Sequence, residues 1–545
     1  MKEWSKFADT IIKQKYSHTM KNGQLEEWEN ISYRVSKHVL KSVDAKKSLV
    51  ERVQQLIAER KFIPGGRYLY ATGRPFHQVQ NCLLLKAEDS REGWSELMQK
   101  ITMALMTGAG IGVDYSGVRG EGKAIRRTGG YSTGPLALMS MVNEAGRGII
   151  QGGARRSAIW AGLNWNHPDI HKFITMKNWI AEVRDLKERD FNFPATMDGT
   201  NISVQLDDEF FKAYHDEKHI LHSHAHSVYW AVIKQMLKTA EPGFSIDLGK
   251  NSDETLRNAC TEITSADDSD ICNLGSVNMA QIGSLEEMRE VVELGTAFLL
   301  AGTVYSDVPY AKVDLVRTKN RRLGLGLMGV HEWLLTHGYK YEKNEELSKY
   351  MDIYATSGDY AKSYAKEWDL SKPVKTRAIA PTGSISIAAM TTSGMEPMLY
   401  VAYKRRYRNA KSWDFQYVID PTAKRLIEIG IDPENIEDAY TLAEDVERRV
   451  SFQTWLQSYV DHAISSTINL PAWGSELNNE GTVQKFGKML INYLPKLRGI
   501  TVYPDGARGG QPLTPVKYST AIKHVGEIFV EAGDVCDLSK AGGCG

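Results

Sequence analysis

Three side chains with complementary chemistry occupy alternate positions near the middle of this 545-residue chain. Asn258 offers an amide, Cys260 a thiol and Glu262 a carboxylate. If the segment is extended, side chains two residues apart point to the same face, so all three would converge on one ligand. A thiol flanked by a carboxamide and a carboxylate is a small catalytic constellation in its own right.

The placement of the five cysteines indicates a redox circuit. Besides Cys260 there is a singlet at Cys82, a neighbour at Cys272, and a pair close to the C-terminus, Cys536 and Cys544. Scattered thiols argue against a structural disulfide framework, and without a CxxC pair or a histidine at ligand spacing no metal site is predicted. The alternative for any one cysteine is a small buried hydrophobe, but the polar tail has little to bury its pair.

One glycine-containing segment is a good candidate for phosphate binding. Residues 381–386 follow an apolar run and open an alanine-rich helical stretch. Backbone N–H groups at such a helix start, with the hydroxyls of Thr382, Ser384 and Ser386, suit a phosphate. An ordinary capped helix start is the alternative.

Two further glycine-rich segments are weighed separately. Residues 151–156 pair glycines with Arg155 and Arg156 and suit an adaptable loop that meets a nucleotide, with a solvated turn as the alternative. Residues 324–329 match the dinucleotide fingerprint in spacing. They follow the polar residues 318–322 rather than a buried strand, so a close-packed turn is predicted there.

Composition excludes several classes of function. Lys plus Arg and Asp plus Glu both total 67, so the formal net charge is zero and there is no global basic field. Direct binding to nucleic acid or to an anionic membrane surface is therefore not expected. The sequence has no long apolar run and no apolar stretch after the first charged residues, which predicts a cytoplasmic protein.

The chain divides by pattern into three parts. Residues 1–60 are polar, with apolar residues at helical spacing, and predict a helical N-terminal segment. Residues 61–522 predict one continuous α/β catalytic domain. Residues 523–545 make one more apolar stretch and then lose the pattern, which predicts a flexible tail.

The α/β prediction rests on an alternation of two patterns. Strands are predicted at short apolar runs, residues 82–85, 271–277 and 500–503. Helices are predicted at amphipathic stretches, residues 94–106 and 286–300.

Taken together, these segments resemble the ribonucleotide reductases, specifically the large radical-bearing chain of the adenosylcobalamin-dependent class. The resemblance covers most of the chain. Each segment alone is weak evidence, but the order of the segments is highly specific to this family. The segments are residues 64–67, 80–82, 151–156, 166–170, 258–262, 272–274, 322–329, 381–386 and the cysteine tail.

The resemblance implies a ten-stranded α/β barrel whose central finger loop carries Cys260 as a thiyl radical. That thiyl would abstract the ribose 3′ hydrogen, Glu262 would take the 3′-hydroxyl proton as general base, and Asn258 would hydrogen-bond the ribose hydroxyls. Cys82 and Cys272 would lie on neighbouring strands beneath the sugar, where one protonates the departing 2′-hydroxyl and the two finish as a disulfide. The implied activity converts ribonucleoside di- or triphosphates to 2′-deoxyribonucleotides.

The same resemblance implies further roles. Cys536 and Cys544 would reset the disulfide by exchange, and an external dithiol protein of thioredoxin or glutaredoxin type would reduce them. The substrate phosphates would bind at Thr382, Gly383, Ser384, Ile385 and Ser386. A deoxynucleotide or ATP specificity effector would bind at Asp89, Arg119, Arg155 and Arg156. For these last four, a helix N-cap at Asp89 and surface charges at the arginines are the alternatives.

Departures from the family pattern set three further expectations. The tail cysteines are spaced more widely than usual, which leaves open which thiol attacks first. The first 60 residues lack the Lys/Arg-rich opening of an ATP-binding cone, so overall control by ATP and dATP is expected to be missing. From Cys82 to Cys260 the chain is too short for the insertion by which monomeric cobalamin enzymes imitate a dimer partner, so a homodimer is expected.

The expected cofactor depends on one position. Chains that receive their radical from a metal-containing subunit carry adjacent tyrosines near the end of the barrel, whereas here Val502 precedes Tyr503. The broken conduit favours adenosylcobalamin. The alternative enzyme is a large subunit that depends on a metal-bearing partner. The alternative outside enzymes is a nucleotide-binding α/β protein, which would have no use for residues 258–262 as a set.

Overall fold

The computed structural model describes residues 2–151, 155–190, 193–408, 413–507 and 513–529. Within them the strands are β1 (Phe62–Pro64), β2 (Cys82–Lys86), β3 (Gly110–Asp114), β4 (Ile150–Gln151), β5 (Arg155–Arg156), β6 (Ile159–Asn164), β7 (Thr200–Asp207), β8 (Gly243–Asp247), β9 (Leu256–Arg257), β10 (Thr264–Ser265), β11 (Asp270–Asn278), β12 (Leu323–Met328), β13 (Ala402–Arg408), β14 (Trp413–Ile419), β15 (Thr467–Leu470), β16 (Gly499–Pro504), β17 (Leu513–Pro515) and β18 (Ile528–Phe529).

The α-helices of the same described residues are α1 (Lys2–Lys15), α2 (Trp28–Lys41), α3 (Lys47–Ala58), α4 (Gly66–Ala71), α5 (Arg91–Met106), α6 (Gly134–Gly148), α7 (Ile170–Thr175), α8 (Ala181–Arg189), α9 (Asp208–His215), α10 (His222–Thr239), α11 (Leu285–Tyr305), α12 (Ala311–Asn320), α13 (Val330–Thr336), α14 (Glu345–Ala355), α15 (Ser357–Glu367), α16 (Gly383–Ala389), α17 (Pro421–Glu428), α18 (Ala439–Leu442), α19 (Val446–Gln457), α20 (Val483–Leu490) and α21 (Tyr518–Ala521). The strands and helices predicted from apolar runs and amphipathic stretches are confirmed in β2, β11, β16, α5 and α11.

The main sheet has ten strands and curls into a barrel. β2, β3, β6, β7 and β8 are parallel neighbours. At the two sides of this set, β11 pairs antiparallel with β2, and β16 pairs antiparallel with β8. The short strand β1 also pairs antiparallel with β11. β12 lies parallel to β11, and β15 lies parallel to β16. Bridges from Leu325 to Arg377 and from Ile379 to Ile464 join the two ends, so the expected barrel is confirmed.

A hairpin runs through the inside of this barrel. β9 and β10 pair antiparallel, and their turn comprises residues 258–263; we call residues 256–265 the finger loop. A Cβ atom at Gly112 of β3 would lie 2.0 Å from the backbone oxygen of Arg257. Glycine at this position therefore lets the loop pass against the barrel wall.

The N-terminal helices share a hydrophobic core with the barrel. Ile31 and Val35 of α2 are fully buried in the same cluster as Phe298 and Leu299 of α11. This packing fixes the N-terminal segment against the half of the barrel that carries β11 and β12. No helix in the described part of the chain has the length and apolar character needed to cross a membrane.

The structure corrects the turn predicted at residues 324–329. Residues 324–328 belong to β12, which is buried along its whole length and parallel to β11, and Gly329 follows the strand with a left-handed conformation. A Cβ atom at Gly326 would lie 2.6 Å from the backbone oxygen of Ala378, and one at Gly324 would lie 2.4 Å from the Leu274 side chain. The glycines serve close packing of neighbouring segments, and the strand is imposed by pairing with β11 rather than by local propensity.

A second sheet extends the proposed catalytic domain toward the C-terminus. Its strands lie in the order β17, β13, β14, β18 and are antiparallel. Ile528 and Phe529 pair with β14, so the further apolar stretch predicted after residue 522 extends the edge of this sheet. Cys536 and Cys544 lie outside the described residues.

Candidate active site

The finger loop brings the amide, the thiol and the carboxylate to one place through a turn. The segment is not extended: Thr261 adopts a left-handed conformation with φ of 69°, and its N–H donates to the backbone oxygen of Asn258 at 3.1 Å. Asn258, Cys260 and Glu262 nevertheless line the same cavity of about 250 Å³. The convergence expected from alternate spacing is therefore produced by turn geometry instead.

Asn258 and Glu262 hold each other in place. The Asn258 Nδ2 donates to Glu262 Oε1 at 3.0 Å, and Asn258 Oδ1 accepts from the Ile263 N–H at 3.0 Å, so the orientation of the amide is fixed. Outside the loop, the Ala463 N–H donates to the Glu262 backbone oxygen at 2.8 Å. Glu262 Oε2 is buried and has no hydrogen-bond partner among the described residues, which leaves this oxygen for a ligand.

The protonation of Glu262 is set by its burial. Burial raises the pKa of this carboxyl to about 7, and hydrogen bonds from its own backbone and from Asn258 oppose the rise. A carboxyl whose pKa lies near neutrality can both accept and release a proton at neutral pH. This is the property that a general base in the cavity needs.

Cys82 and Cys272 face each other on adjacent strands. They are directly paired in the antiparallel register of β2 and β11. Opposite residues in such a pair have Cα atoms about 4.5–5.5 Å apart, which falls within the range of disulfides. Cys82 lines the cavity, and Cys272 lies on the face of β11 that also turns Leu274 and Ser276 into it. The structure thus brings four of the seven predicted catalytic residues to the finger loop's cavity and a fifth next to it.

Both strand thiols are protonated at neutral pH. Burial raises the pKa of Cys82 well above its usual value, and the charges of Glu262, Cys272 and Cys260 add to the effect. Burial likewise raises the pKa of Cys272, with Asp270 as the next contributor. A protonated thiol can donate a proton to a leaving group, which a buried thiolate cannot do.

The candidate phosphate loop lies across the same cavity. Thr382, Gly383, Ser384 and Ile385 line it, whereas Ser386 is buried behind them. Thr382 Oγ1 accepts from the Gly394 N–H at 2.7 Å, which ties the loop to the chain that follows α16. The structure therefore brings the loop and the finger thiol to the lining of one cavity.

Sequence reasoning missed one contact to this loop. The Tyr16 hydroxyl lies 2.6 Å from Ser384 Oγ, although the two residues are 368 positions apart. No local pattern around Tyr16 signals the contact, because it depends on how the N-terminal helices pack on the barrel. Gly65 and Gly66, by contrast, also line the cavity and belong to a segment that the resemblance had marked.

The base of the finger loop is anchored by buried charges. Arg257 is fully buried, and its Nη2 lies 2.6 Å from Asp247 Oδ1, to which Arg498 Nη2 also binds at 2.8 Å. Arg498 further contacts Glu254 Oε2 at 3.2 Å, and Lys375 pairs with the same carboxylate. The loop is thereby tied to β8 and to the start of β16.

The structure describes the side chains of two of the four candidate effector residues. Arg119 Nε donates to Asp89 Oδ2 at 2.7 Å, so the structure brings these two together on a partly exposed surface. Ser90, not Asp89, caps α5 by accepting from the Gly93 N–H, so the N-cap alternative for Asp89 is wrong. The side chains of Arg155 and Arg156 lie outside the described part of the structure. Among the described residues no group of three or more His, Cys, Asp or Glu could hold a metal ion.

Fold and site together define a barrel protein with thiols grouped around an internal finger loop. The family model described as ribonucleotide reductase, barrel domain, matches residues 80–245, 222–363 and 374–503. These segments cover most of the chain, and the chain belongs to the ribonucleotide reductase family.

Similar proteins include reductases named as vitamin B12-dependent and one named as a large subunit. A vitamin B12-dependent ribonucleoside-diphosphate reductase of Thermoplasma acidophilum is 26% identical, and the match covers 85% of this chain and 66% of the relative. One of the same name from Mycobacterium tuberculosis is also 26% identical, covering 85% of this chain and 73% of the relative. A ribonucleoside-diphosphate reductase large subunit of Plasmodium falciparum is 24% identical over 60% of this chain and 46% of its own length. The chain thus spans about two thirds of the length of the Thermoplasma relative.

Proposed function

We propose that this chain is an adenosylcobalamin-dependent ribonucleotide reductase that converts ribonucleoside di- or triphosphates to 2′-deoxyribonucleotides. The observation that carries the proposal is one cavity lined by Cys260, Glu262, Asn258 and Cys82, with Cys272 paired to Cys82 and the candidate phosphate loop opposite. A nucleotide-binding protein without catalysis would need neither the buried base nor the paired thiols. In the proposed reductase, the substrate phosphates bind at residues 382–386.

The chemistry begins and ends at Cys260. As a thiyl radical it takes the hydrogen atom from ribose C3′, which leaves Cys260 as a thiol and the unpaired electron on the sugar. Glu262 Oε2 accepts the proton of the 3′-hydroxyl, and Asn258 orients the ribose hydroxyls. After reduction at C2′, Cys260 returns a hydrogen atom to C3′, so its radical is regenerated.

The two strand thiols supply what the reduction consumes. Cys82 lines the cavity and donates a proton to the 2′-hydroxyl, which departs as water. Cys82 and Cys272 together lose two protons and two electrons and form one disulfide bond. The sugar gains one hydrogen at C2′ in place of the hydroxyl, so one ribonucleotide and two thiols give one deoxynucleotide, one disulfide and one water.

A second cavity has aromatic and polar groups that suit one edge of the cofactor, which is larger than the cavity itself. It measures about 460 Å³ and lies at the C-terminal ends of β15 and β16, where Tyr503 and Asn469 are in register. Tyr400 and Tyr440 add aromatic surface for the corrin ring, and Ser475 Oγ is buried without a hydrogen-bond partner among the described residues, so it can bind a corrin amide. Adenosylcobalamin bound here would supply radical chemistry through its weak cobalt–carbon bond.

The alternative is a large subunit that depends on a metal-bearing partner. It would need closely stacked redox-active side chains leading to Cys260. Val502 precedes Tyr503 in β16 and is buried in the barrel core, and a valine side chain cannot relay an electron hole. This position favours a radical generated beside Cys260.

Partners follow from the same proposal. A thioredoxin or glutaredoxin-like dithiol protein reduces the Cys536 and Cys544 pair. A deoxynucleotide or ATP effector binds at Asp89 and Arg119 together with Arg155 and Arg156, where the arginines provide positive charge for its phosphates. The chain works as a homodimer in the cytoplasm.

Turnover by the purified chain tests the cofactor assignment. With adenosylcobalamin, dithiothreitol and each ribonucleoside di- and triphosphate, the chain should form deoxynucleotide without any metalloprotein. A parallel reaction without adenosylcobalamin is the control. Activity that fails with adenosylcobalamin but is restored by a ferritin-like metal subunit would establish the alternative instead.

A further inference from the structure

The N-terminal segment reaches the candidate phosphate loop through one side chain. Tyr16 follows α1 and is 95% buried, with 5% of its surface exposed. Its hydroxyl lies 2.6 Å from Ser384 Oγ, and α1 packs against α16. Ser384 in turn lines the cavity that holds Cys260, whereas Tyr16 does not. Tyr16 therefore contacts a residue that lines the cavity without lining the cavity itself.

Tyr16 is held rigidly in this position. A Cβ atom at Gly66 would lie 3.1 Å from the Tyr16 hydroxyl oxygen, so the glycine makes room for the phenol. The Tyr16 backbone oxygen accepts from Arg34 Nη2 at 3.3 Å. Arg34 is itself buried in an ion pair with Glu26 at 2.8 Å and also donates to the backbone oxygen of Leu69 in α4. The same network thus fixes Tyr16 relative to the glycines that line the cavity.

The acidities of the two hydroxyl groups decide which of them donates the hydrogen bond. A phenol is a stronger acid than an aliphatic hydroxyl, so the Tyr16 O–H is the better donor and Ser384 Oγ the better acceptor. Ser384 then keeps its own hydrogen for a ligand in the cavity, and donation to a charged phosphate oxygen is the strongest use of that hydrogen.

We propose that Tyr16 is a positioning residue that orients the Ser384 hydroxyl toward the substrate phosphates, so that the N-terminal segment completes the phosphate site. The inference rests on one part of the proposed function, the assignment of residues 382–386 to phosphate binding. Its consequence is that binding of the phosphates, but not of the nucleoside part, depends on the Tyr16 hydroxyl.

Calorimetric binding of ADP and of adenosine to the full chain tests the proposal. Tyr16→Phe keeps the ring and removes only the hydroxyl, so ADP should bind about 3- to 10-fold more weakly while adenosine binds as in the wild type. Ser384→Ala should weaken ADP binding at least as much. In the double variant the two losses should not add, because each removes the same hydrogen-bonded unit. The KM of a reducible nucleotide should rise in Tyr16→Phe with little change in kcat.

Tyr33→Phe is the matched control. Tyr33 lies in α2 of the same segment, is about half exposed, and bonds Lys37 rather than the loop. This variant should bind ADP as the wild type does. Equal loss of ADP and adenosine in Tyr16→Phe, or additive losses in the double variant, would overturn the proposal.

The outcomes also separate this inference from the proposed function. If Ser384→Ala weakens ADP binding and Tyr16→Phe does not, the role of Tyr16 is wrong and the phosphate loop stands. If neither variant affects ADP binding, the assignment of the loop to phosphate is wrong as well.

Discussion

At the scale of single residues, the account depends on how burial sets protonation in one cavity. Glu262 is buried with one oxygen bonded to Asn258 and the other without a partner among the described residues. Its pKa is raised to about 7, whereas the pKa values of Cys82 and Cys272 are raised well above their usual range. A base that titrates near neutrality therefore sits beside thiols that keep their protons. The proposed reaction requires both groups, a base that accepts the 3′-hydroxyl proton and a thiol that protonates the 2′-hydroxyl.

The pH dependence of activity tests the role of Glu262. The carboxyl must be ionised to accept the 3′-hydroxyl proton, and burial raises its pKa to about 7. The kcat/KM should therefore be level above this pH and fall by about tenfold per pH unit below it. Asn258→Ala removes the N–H that stabilises the carboxylate, so its acidic limb should move to higher pH. Glu262→Gln should lower activity by about 10²- to 10⁴-fold and show no such limb.

The paired thiols predict a defined product in the enzyme. A pre-reduced variant with Cys536→Ser and Cys544→Ser, which cannot pass the disulfide to the tail, should form a disulfide between Cys82 and Cys272 when given adenosylcobalamin and nucleotide but no reductant, detected by mass spectrometry of linked peptides. Cys82→Ser and Cys272→Ser should each lose repeated turnover, because neither can complete the disulfide. Cys260→Ala treated in the same way is the control and should remain reduced. Deoxynucleotide formed while both strand thiols stay reduced would contradict the proposed electron source.

At the scale of elements, the barrel wall and the finger loop must be complementary. The loop passes β3 so closely that only glycine is accommodated at position 112. Its base is held by the buried pair of Arg257 and Asp247. The barrel wall and the finger loop therefore have complementary shapes. The position of the Cys260 thiol depends on packing on both sides of the hairpin.

A methyl group in the barrel wall should displace the loop. The Cβ atom of Gly112→Ala would lie 2.0 Å from the Arg257 backbone oxygen, so the loop must shift. We expect a loss of about 1–3 kcal/mol in the free energy of unfolding, measured by denaturant titration, together with loss of activity. Gly117→Ala is the matched control, because its Cβ atom would have no neighbour closer than 3.4 Å. It should change stability by no more than about 0.5 kcal/mol.

At the scale of the whole molecule, local patterns predicted the alternating strands and helices but not the contacts between distant segments. β2, β11 and β16 were predictable because short apolar runs fit buried strands. β12 was not, because its glycines lower strand propensity and only pairing with β11 makes it a strand. The resemblance predicted Cys82, Cys272 and residues 258–262 at one site, but the turn at Thr261 and the contact between Tyr16 and Ser384 depend on tertiary packing.

The central claim is that Cys260 removes the 3′ hydrogen of a bound ribonucleotide. The most direct measurement compares the wild type with Cys260→Ser, using nucleotide carrying deuterium at C3′, adenosylcobalamin and dithiothreitol. The wild type should reduce this nucleotide more slowly than unlabelled nucleotide, because the bond from C3′ to deuterium is broken. Its deoxynucleotide should retain deuterium at C3′, since the hydrogen taken by Cys260 is returned there. Cys260→Ser should bind ADP normally and form no deoxynucleotide. Repeated turnover by Cys260→Ser would contradict the account.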